Sequence, residues 1–502
     1  MSLAKVYTCS LTGIVSHTVT VEVHLANGLP ALSIVGLPEA AVRESKDRVR
    51  AAIINSNFEF PQRRITINLA PADIPKDGGR FDLPIALGIL AASSQIPNDQ
   101  LERFEFHGEL ALSGELRPVK GALPSALHTQ HSQRALILPA ENLDEASMAE
   151  DVEVFGASNL LDVCQFLSQD ESLQQSQQSD SSSMSRTAFK LDMADIKGQQ
   201  RAKRALEVAA AGQHNLLMIG PPGTGKTMLA SRITSILPPM TQQQAIESAA
   251  IHSISDHVFN KSAWKHRPFR APHHTASGIA LVGGGSHPKP GEISLAHHGV
   301  LFLDELTEFD RRVLDVLREP LETGQITISR AARQADFPAR FQLIAAMNPC
   351  PQGYNCNGKE LCQCTPEQQK KYRSKISAPL LDRIDIHIEV PQVPRDILQT
   401  QQHSEASEQI RQRVEQAYQT QLQRHGKINA ELSNKELEQA CQLQTAEQQL
   451  LDKAMEKLKL SARAYHRILK LARTIADLEQ QPLINTQHLS EAISYRSLDR
   501  LQ

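Results

Sequence analysis

Residues Gly220 to Thr227 read GPPGTGKT, between the apolar run NLLMI and the helix-like run MLASRI. The three glycines in these eight residues let the backbone curl so that N–H groups converge on an anion. A strand that runs into G-x-x-x-x-G-K-[ST] and leaves as a helix calls for a parallel α/β sheet behind it. Gly220, Pro221, Pro222, Gly223, Thr224, Gly225, Lys226 and Thr227 are therefore expected to cradle a nucleoside triphosphate, ATP. Lys226 would add charge beside the β- and γ-phosphates, and Thr227 would offer its hydroxyl to Mg²⁺.

A second apolar run, VLFLDEL, ends in two acids, Asp304 and Glu305. Carboxylates at the C-terminal edge of a parallel sheet sit where ligands bind. Asp304 is expected to hold Mg²⁺ and Glu305 to activate the attacking water. Three further polar residues suit a hydrolysis site. Asn348 ends the strand-like FQLIAAMN, Arg383 lies in LLDRIDI, and Arg463 lies in SARAYHRILKLARTIADL. An arginine near a γ-phosphate stabilises transition-state charge. On spacing alone, a surface or capping role fits each of the three equally well.

The segment 168–188, rich in Ser and Gln and nearly free of large apolar side chains, reads as a flexible linker. Before it, residues 1–167 mix strand-like alternation (TVTVEVHL, RITINLA) with helix-like spacing, an α+β pattern. After it, residues 189–394 alternate strand and helix signals. Residues 395–502 are Gln-, Glu-, Lys- and Leu-rich, with helical periodicity. The fold class is thus multi-domain α/β, closing on a helical lid. Net charge is −3, so no whole-protein basic field exists, and nucleic acid would have to meet local patches. With no apolar run long enough to span a bilayer and no secretory signal, a cytoplasmic protein is expected.

GPPGTGKT, VLFLDEL, AAMNP, LLDRIDI and SARAYHRILKLARTIADL together resemble the magnesium-chelatase-like branch of the AAA+ ATPases. RPFRAPHHTASGIALVGGGSHPKPGEISLAHHGVLFLDEL and GRFDLPIALGILAAS are similar to stretches of the ComM/YifB family of bacterial DNA-processing ATPases. That resemblance implies a homo-oligomeric, hexameric ring that moves DNA: a helicase promoting branch migration during integration of transforming DNA in natural competence. It implies catalytic roles for Lys226, Asp304 and Glu305, a sensor role for Asn348 and a lid-sensor role for Arg463. Arg383 would be the finger reaching a neighbouring subunit's nucleotide.

QITISR alternates, and ARFQLI alternates again, so the segment between reads as a β-hairpin carrying or flanked by Arg330, Arg333 and Arg340. In related AAA+ helicases a hairpin at this place enters the central pore. The three arginines are therefore DNA-contact candidates, for single-stranded, duplex or branched DNA. His273, His274, His287, His297 and His298 lack H-E-x-x-H-like spacing and read as part of a loop or DNA-facing insert rather than a metal site. Cys350, Cys356, Cys362 and Cys364 could close a structural Zn²⁺ site, although C-x5-C-x5-C-x-C is not knuckle spacing; a metal-free loop is the alternative.

The N-terminal segments PKDGGRFDLPIALGIL and GELALSGELRPVKG resemble an S5/Lon-protease-like domain. Arg80 stands where the nucleophilic serine would be expected, and Leu123 or Pro124 where the lysine would be, so protease activity is not expected. A chaperone-like metal-chelatase role is the alternative to the DNA motor. It is weakened by the lack of any D-x-S-x-S-like metal-adhesion motif.

Overall fold

The computed structural model describes residues 3–169, 171–175, 191–255, 264–285, 288–330, 333–353, 364–394, 396–397, 404–458 and 460–496, with backbone alone at 330 and 333. The chain forms two compact units: residues 1–184 with 245–264, and residues 185–244 with 265–502.

The first unit is built on an eight-stranded sheet. Its strands are β1 (Leu3–Thr12), β2 (Val15–Ala26), β3 (Ala31–Val35), β4 (Arg64–Ala70), β5 (Phe104–Phe106), β6 (Ala135–Pro139), β7 (Val154–Ala157) and β8 (Gln174–Gln175), in spatial order β8-β7-β6-β5-β1-β2-β4-β3. β1, β2 and β4 form an antiparallel core, while β5, β6 and β7 continue from β1 in parallel. Strand alternation sends Val19, Val21, Val23 and Leu25 inward from β2. They meet α1 (Ala40–Asn55) and α2 (Asp82–Ala92). Every residue of α2 is buried: LPIALGILAA is apolar throughout, and the leading Asp82 is paired with Arg48 at 2.7 Å. A Cβ on Gly88 would lie 2.5 Å from Val23 Cγ2, so only glycine lets this helix approach the sheet.

The sequence marks residues 189–394 as one continuous piece, but residues 245–264 pack with the first unit. Ala249 and Ala250, on the helix Gln242–Ser253, join a cluster with Leu123, Leu136, Leu138 and Val154. The Gly121 N–H donates to the Ser253 carbonyl at 3.0 Å, at the start of α3 (Ala122–Ser132), and the Ser253 hydroxyl donates to Glu145. Helical spacing carries no information about which body a helix packs against. Of the linker 168–188, only 168–169 and 171–175 are described, and Gln174–Gln175 extend the sheet as β8.

The second unit has a five-stranded parallel sheet. Its strands are β9 (Leu216–Ile219), β10 (Phe269–Arg270), β11 (Val300–Leu303), β14 (Gln342–Met347) and β15 (Ile386–Glu389), ordered β10-β11-β14-β9-β15. A separate hairpin pairs β12 (Gln325–Arg330) with β13 (Arg333–Pro338). β11 and β14 are buried at every position, which explains the apolar runs VLFL and LIAAM; the one polar residue, Gln342, donates to the Ala209 and His214 carbonyls at 2.8 Å each. α4 (Gln200–Gly212) and α5 (Lys226–Arg232) flank the sheet, and the chain closes on α6 (Ser407–His425), α7 (Ala462–Leu478) and α8 (Thr486–Ser494). Ile468, Leu471, Ala472 and Ile475 on α7 repeat at helical spacing and share one core with α4 and the sheet. Among the described residues, no helix is long and apolar enough to cross a membrane.

Candidate nucleotide site

In-register parallel pairing decides where the polar residues emerge. Ile219 pairs with Met347, and Leu303 with Ala345, so β9, β11 and β14 end along one edge. Gly220, Asp304 and Asn348 are the next residues of those three strands. The loop after β9 turns through positive φ at Gly223 (76°) and Gly225 (85°), where an L side chain would be strained. A Cβ on Gly220 would lie 2.2 Å from the Val390 carbonyl oxygen. Thr224 donates to the Pro221 carbonyl at 3.0 Å, tightening the loop, and Pro222 packs near Gly353.

Lys226 is buried, and its ammonium donates to the carbonyls of Gly220 (2.7 Å) and Pro221 (2.9 Å) and to Asn348 Oδ1 (3.2 Å). Burial holds its pKa below the ordinary lysine value, against the opposing pull of Asp304 and Glu305. The Thr227 hydroxyl donates to Asp304 Oδ2 at 2.6 Å. The second Asp304 oxygen accepts the Glu305 N–H at 2.9 Å, which fixes the carboxylate's orientation. A hydroxyl and a carboxylate in contact are the hard oxygen donors that Mg²⁺ prefers. The inward-curled loop with a buried cation suits phosphate, so the residues fit Mg²⁺ and a triphosphate. Once bound, the metal would neutralise charge between the β- and γ-phosphates.

Glu305 adopts a left-handed conformation (φ 51°), and its Oε2 lies 3.2 Å from His274 Nδ1. This contact spans 31 residues, while sequence alone places His274 in a loop or DNA-facing insert; the His273 and His274 rings lie 4.1 Å apart, tilted by 32°. His297 accepts the Arg340 N–H at 3.0 Å, and His287 lies outside the described residues.

Arg383 and Arg463 do not join Lys226. Arg383 is buried; it donates to the Pro379 carbonyl at 2.6 Å and pairs with Glu322 Oε1 at 2.6 Å. Arg463 pairs with the same Glu322 oxygen at 3.1 Å and with Asp382 Oδ2 at 3.1 Å. The two arginines therefore form a second cluster around one carboxylate.

On the hairpin, Arg330 and Arg333 face each other in register next to the turn. Arg340 falls beyond Pro338, because in ARFQLI residues 339–341 are the connection and Gln342–Ile344 are already β14, not the hairpin. Ile326, Ile328, Ala335 and Phe337 are buried, so one face of the hairpin is packed rather than free. Of the cysteine loop, Cys350 is buried and Cys364 half-buried, while Cys356 and Cys362 lie outside the described residues. In the first unit, Arg80 is buried and donates to the Lys120 carbonyl and to Ser125 Oγ (3.4 Å).

Residues 192–398 match the family model described as magnesium chelatase, subunit ChlI, and residues 404–496 match the model of its C-terminal part. Residues 21–142 match a model described as subunit ChlI of Mg-chelatase. The chain is 54% identical over 504 residues to competence protein ComM of Haemophilus influenzae, covering 100% of this chain and 99% of that one. It is 50% identical over 502 residues to the uncharacterized protein YifB of Escherichia coli, covering 100% and 98%. A more distant match, 23% identical over 224 residues, is the magnesium-chelatase 38 kDa subunit of Cereibacter sphaeroides, covering 40% of this chain and 59% of that one. By full-length similarity as well as by its motifs, this chain belongs to the ComM/YifB family of magnesium-chelatase-like AAA+ proteins.

Proposed function

We propose that this protein is a cytoplasmic ATP-hydrolysing motor that assembles as a hexameric ring and drives branch migration of DNA during integration of transforming DNA. The observation that carries the reading is the contact of Thr227 with Asp304 at 2.6 Å, on a chain 54% identical to a competence protein. Lys226 and the loop N–H groups bind the triphosphate. Asp304 and Thr227 hold the metal, and Glu305 takes the proton of the attacking water, with His274 orienting its carboxylate. Asn348 positions that water. Arg383 and Arg463, clustered on Glu322 away from Lys226, are presented together to the site of a neighbouring copy.

Arg330 and Arg333 at the hairpin turn, repeated around a ring, supply a basic collar for DNA phosphates despite the net charge of −3. The first unit serves as a Lon-protease-like scaffold. Arg80, in the place expected for the nucleophile, is engaged with Lys120 and Ser125. The test is migration of a synthetic four-way junction by purified protein with ATP, with Lys226→Ala as control. No DNA-stimulated hydrolysis and no junction movement would remove the reading.

A further inference from the structure

Arg383 is followed two residues later by Asp385, and Arg463 is followed one helical turn later by Arg467. Asp385 and Arg467 form an ion pair with side chains only 11% and 18% exposed. We propose that this pair is a brace that holds Arg383 and Arg463 as one unit, so that both arginines reach a neighbouring copy's nucleotide together. The proposal rests on the reading that these arginines act between copies. Asp385 and Arg467 are positioning residues, since they act through the backbone and helix that carry Arg383 and Arg463.

Asp385 sits at the entry to β15 and is tied to the sheet on every side. Its Oδ2 accepts the Asn215 N–H at 3.0 Å, and its own N–H donates to the Asn215 carbonyl at 3.1 Å. The Asn215 side-chain amide donates to the Arg383 carbonyl at 3.1 Å. Asn215 immediately precedes β9, the strand that delivers the glycine loop. The backbone of Arg383 is thereby clamped to the start of the strand that carries Lys226's loop.

From the other direction, α7 carries both Arg463 and Arg467. Arg463 reaches Asp382 at 3.1 Å and Arg467 reaches Asp385, so the helix grips the 382–385 segment at two points one turn apart. Further along α7, Thr474 bonds His214 Nε2 at 2.8 Å, and His214 Nδ1 lies 3.7 Å from Asp385 Oδ2. Among the described residues the Arg467 Nε is buried with no hydrogen-bond partner, and the ion pair to Asp385 is what compensates the guanidinium's charge. Cutting this pair leaves α7 holding the 382–385 segment through the Arg463–Asp382 contact, whose side chains are 50% and 30% exposed. Among the described residues, Glu322, 46% exposed, is then the one carboxylate that pairs with both arginines.

The experiment uses the full chain with Arg467→Gln and Asp385→Asn. We expect the affinity for a non-hydrolysable ATP analogue to stay within about twofold, while kcat falls about 10- to 100-fold, the cost of misplacing a reacting group by about an ångström. Arg467→Lys, which keeps charge but loses the fork, should restore part of kcat. A mixing test then separates a brace acting between copies from a general structural effect. Arg467→Gln is mixed with Glu305→Gln, which lacks the water-activating carboxylate but keeps its arginines. A Glu305→Gln copy should complete the site of an adjacent Arg467→Gln copy, so the mixture should exceed the summed separate activities severalfold.

Arg383→Ala mixed with Glu305→Gln is run alongside. If that pair complements and the Arg467→Gln pair does not, the brace is wrong while the trans arginine stands. If neither complements, the trans reading itself falls and takes the brace with it. Unchanged kcat in Arg467→Gln overturns the brace directly. Should Arg467→Gln fail to fold, Arg467→Lys carries the same mixing test with the same outcomes.

Discussion

Arg383 and Arg463 end on one oxygen, Oε1 of Glu322, at 2.6 and 3.1 Å. They come from different parts of the second unit, the loop before β15 and the helix α7. Glu322 is half-exposed, so each ion pair adds at most about 1 kcal/mol after solvent screening. If Glu322 only parks the arginines, Glu322→Gln should change ATP turnover by less than about fivefold, the equivalent of that energy. Arg383→Ala and Arg463→Ala should each cost about 10³-fold or more, the usual worth of an arginine at a transferring phosphoryl group. Steady-state ATPase assays on the three variants check the contrast. A Glu322→Gln loss as large as the arginine losses would mean that the carboxylate itself belongs to the reaction.

Lys226 and Glu305 should separate binding from chemistry. Lys226 is buried and pinned by two carbonyls and Asn348, so it is pre-aimed and already desolvated. Its loss removes charge-assisted hydrogen bonds worth about 1.5–3 kcal/mol, or about 10- to 100-fold in ATP affinity. Glu305→Gln should hold affinity within about twofold while turnover drops about 10²- to 10⁴-fold, as expected for a lost general base. Equilibrium binding of a fluorescent ATP analogue beside turnover measurements reads both quantities. Equal loss of affinity in the two variants would contradict these roles.

The His274 contact to Glu305 gives a third expectation. A general base works best when a further group fixes its orientation. His274→Ala should therefore lower kcat by about tenfold with KM little changed, because the histidine touches Glu305 and not the phosphate loop. A change confined to KM, or to DNA affinity, would return His274 to the role of a loop residue.

What could be read from the sequence was what depends on consecutive residues. The glycine loop, the strand ending in Asp304 and the strand before Asn348 each carry their signal within a few positions, since strand, turn and helix are local events. Parallel pairing then brings the three strand ends to one edge, so local reading sufficed. The hairpin was visible through alternation in QITISR, but its second strand is Arg333–Pro338, because alternation alone does not mark where one strand stops. Contacts between distant side chains left no trace. Nothing near Glu322 marks it as the meeting point of Arg383 and Arg463. His274 looks like any loop histidine until the fold sets it 3.2 Å from Glu305. The small apolar face of Ala249 and Ala250 fits a helix in either unit, and only the tertiary fold assigns it to the first.

Asp385 yields a pH prediction with a definite sign. Burial alone would raise its carboxyl pKa, but the Arg467 charge, the His214 contact and the Asn215 N–H outweigh burial and hold it well below the ordinary 3.8. A depressed acid binds fewer protons folded than unfolded. Its contribution to stability is therefore fully present above about pH 5 and is lost as pH falls through 3.8 toward the depressed value. Melting temperatures between pH 7 and pH 3 should thus fall more steeply for the unmodified chain than for Asp385→Asn, which has no proton to take up. At pH 7 the variant should already be weaker by about 3 kcal/mol, because the buried Arg467 charge loses its counterion. The two curves should converge on acidification. Curves that stay parallel across that range would show that Asp385 is not held ionised by Arg467.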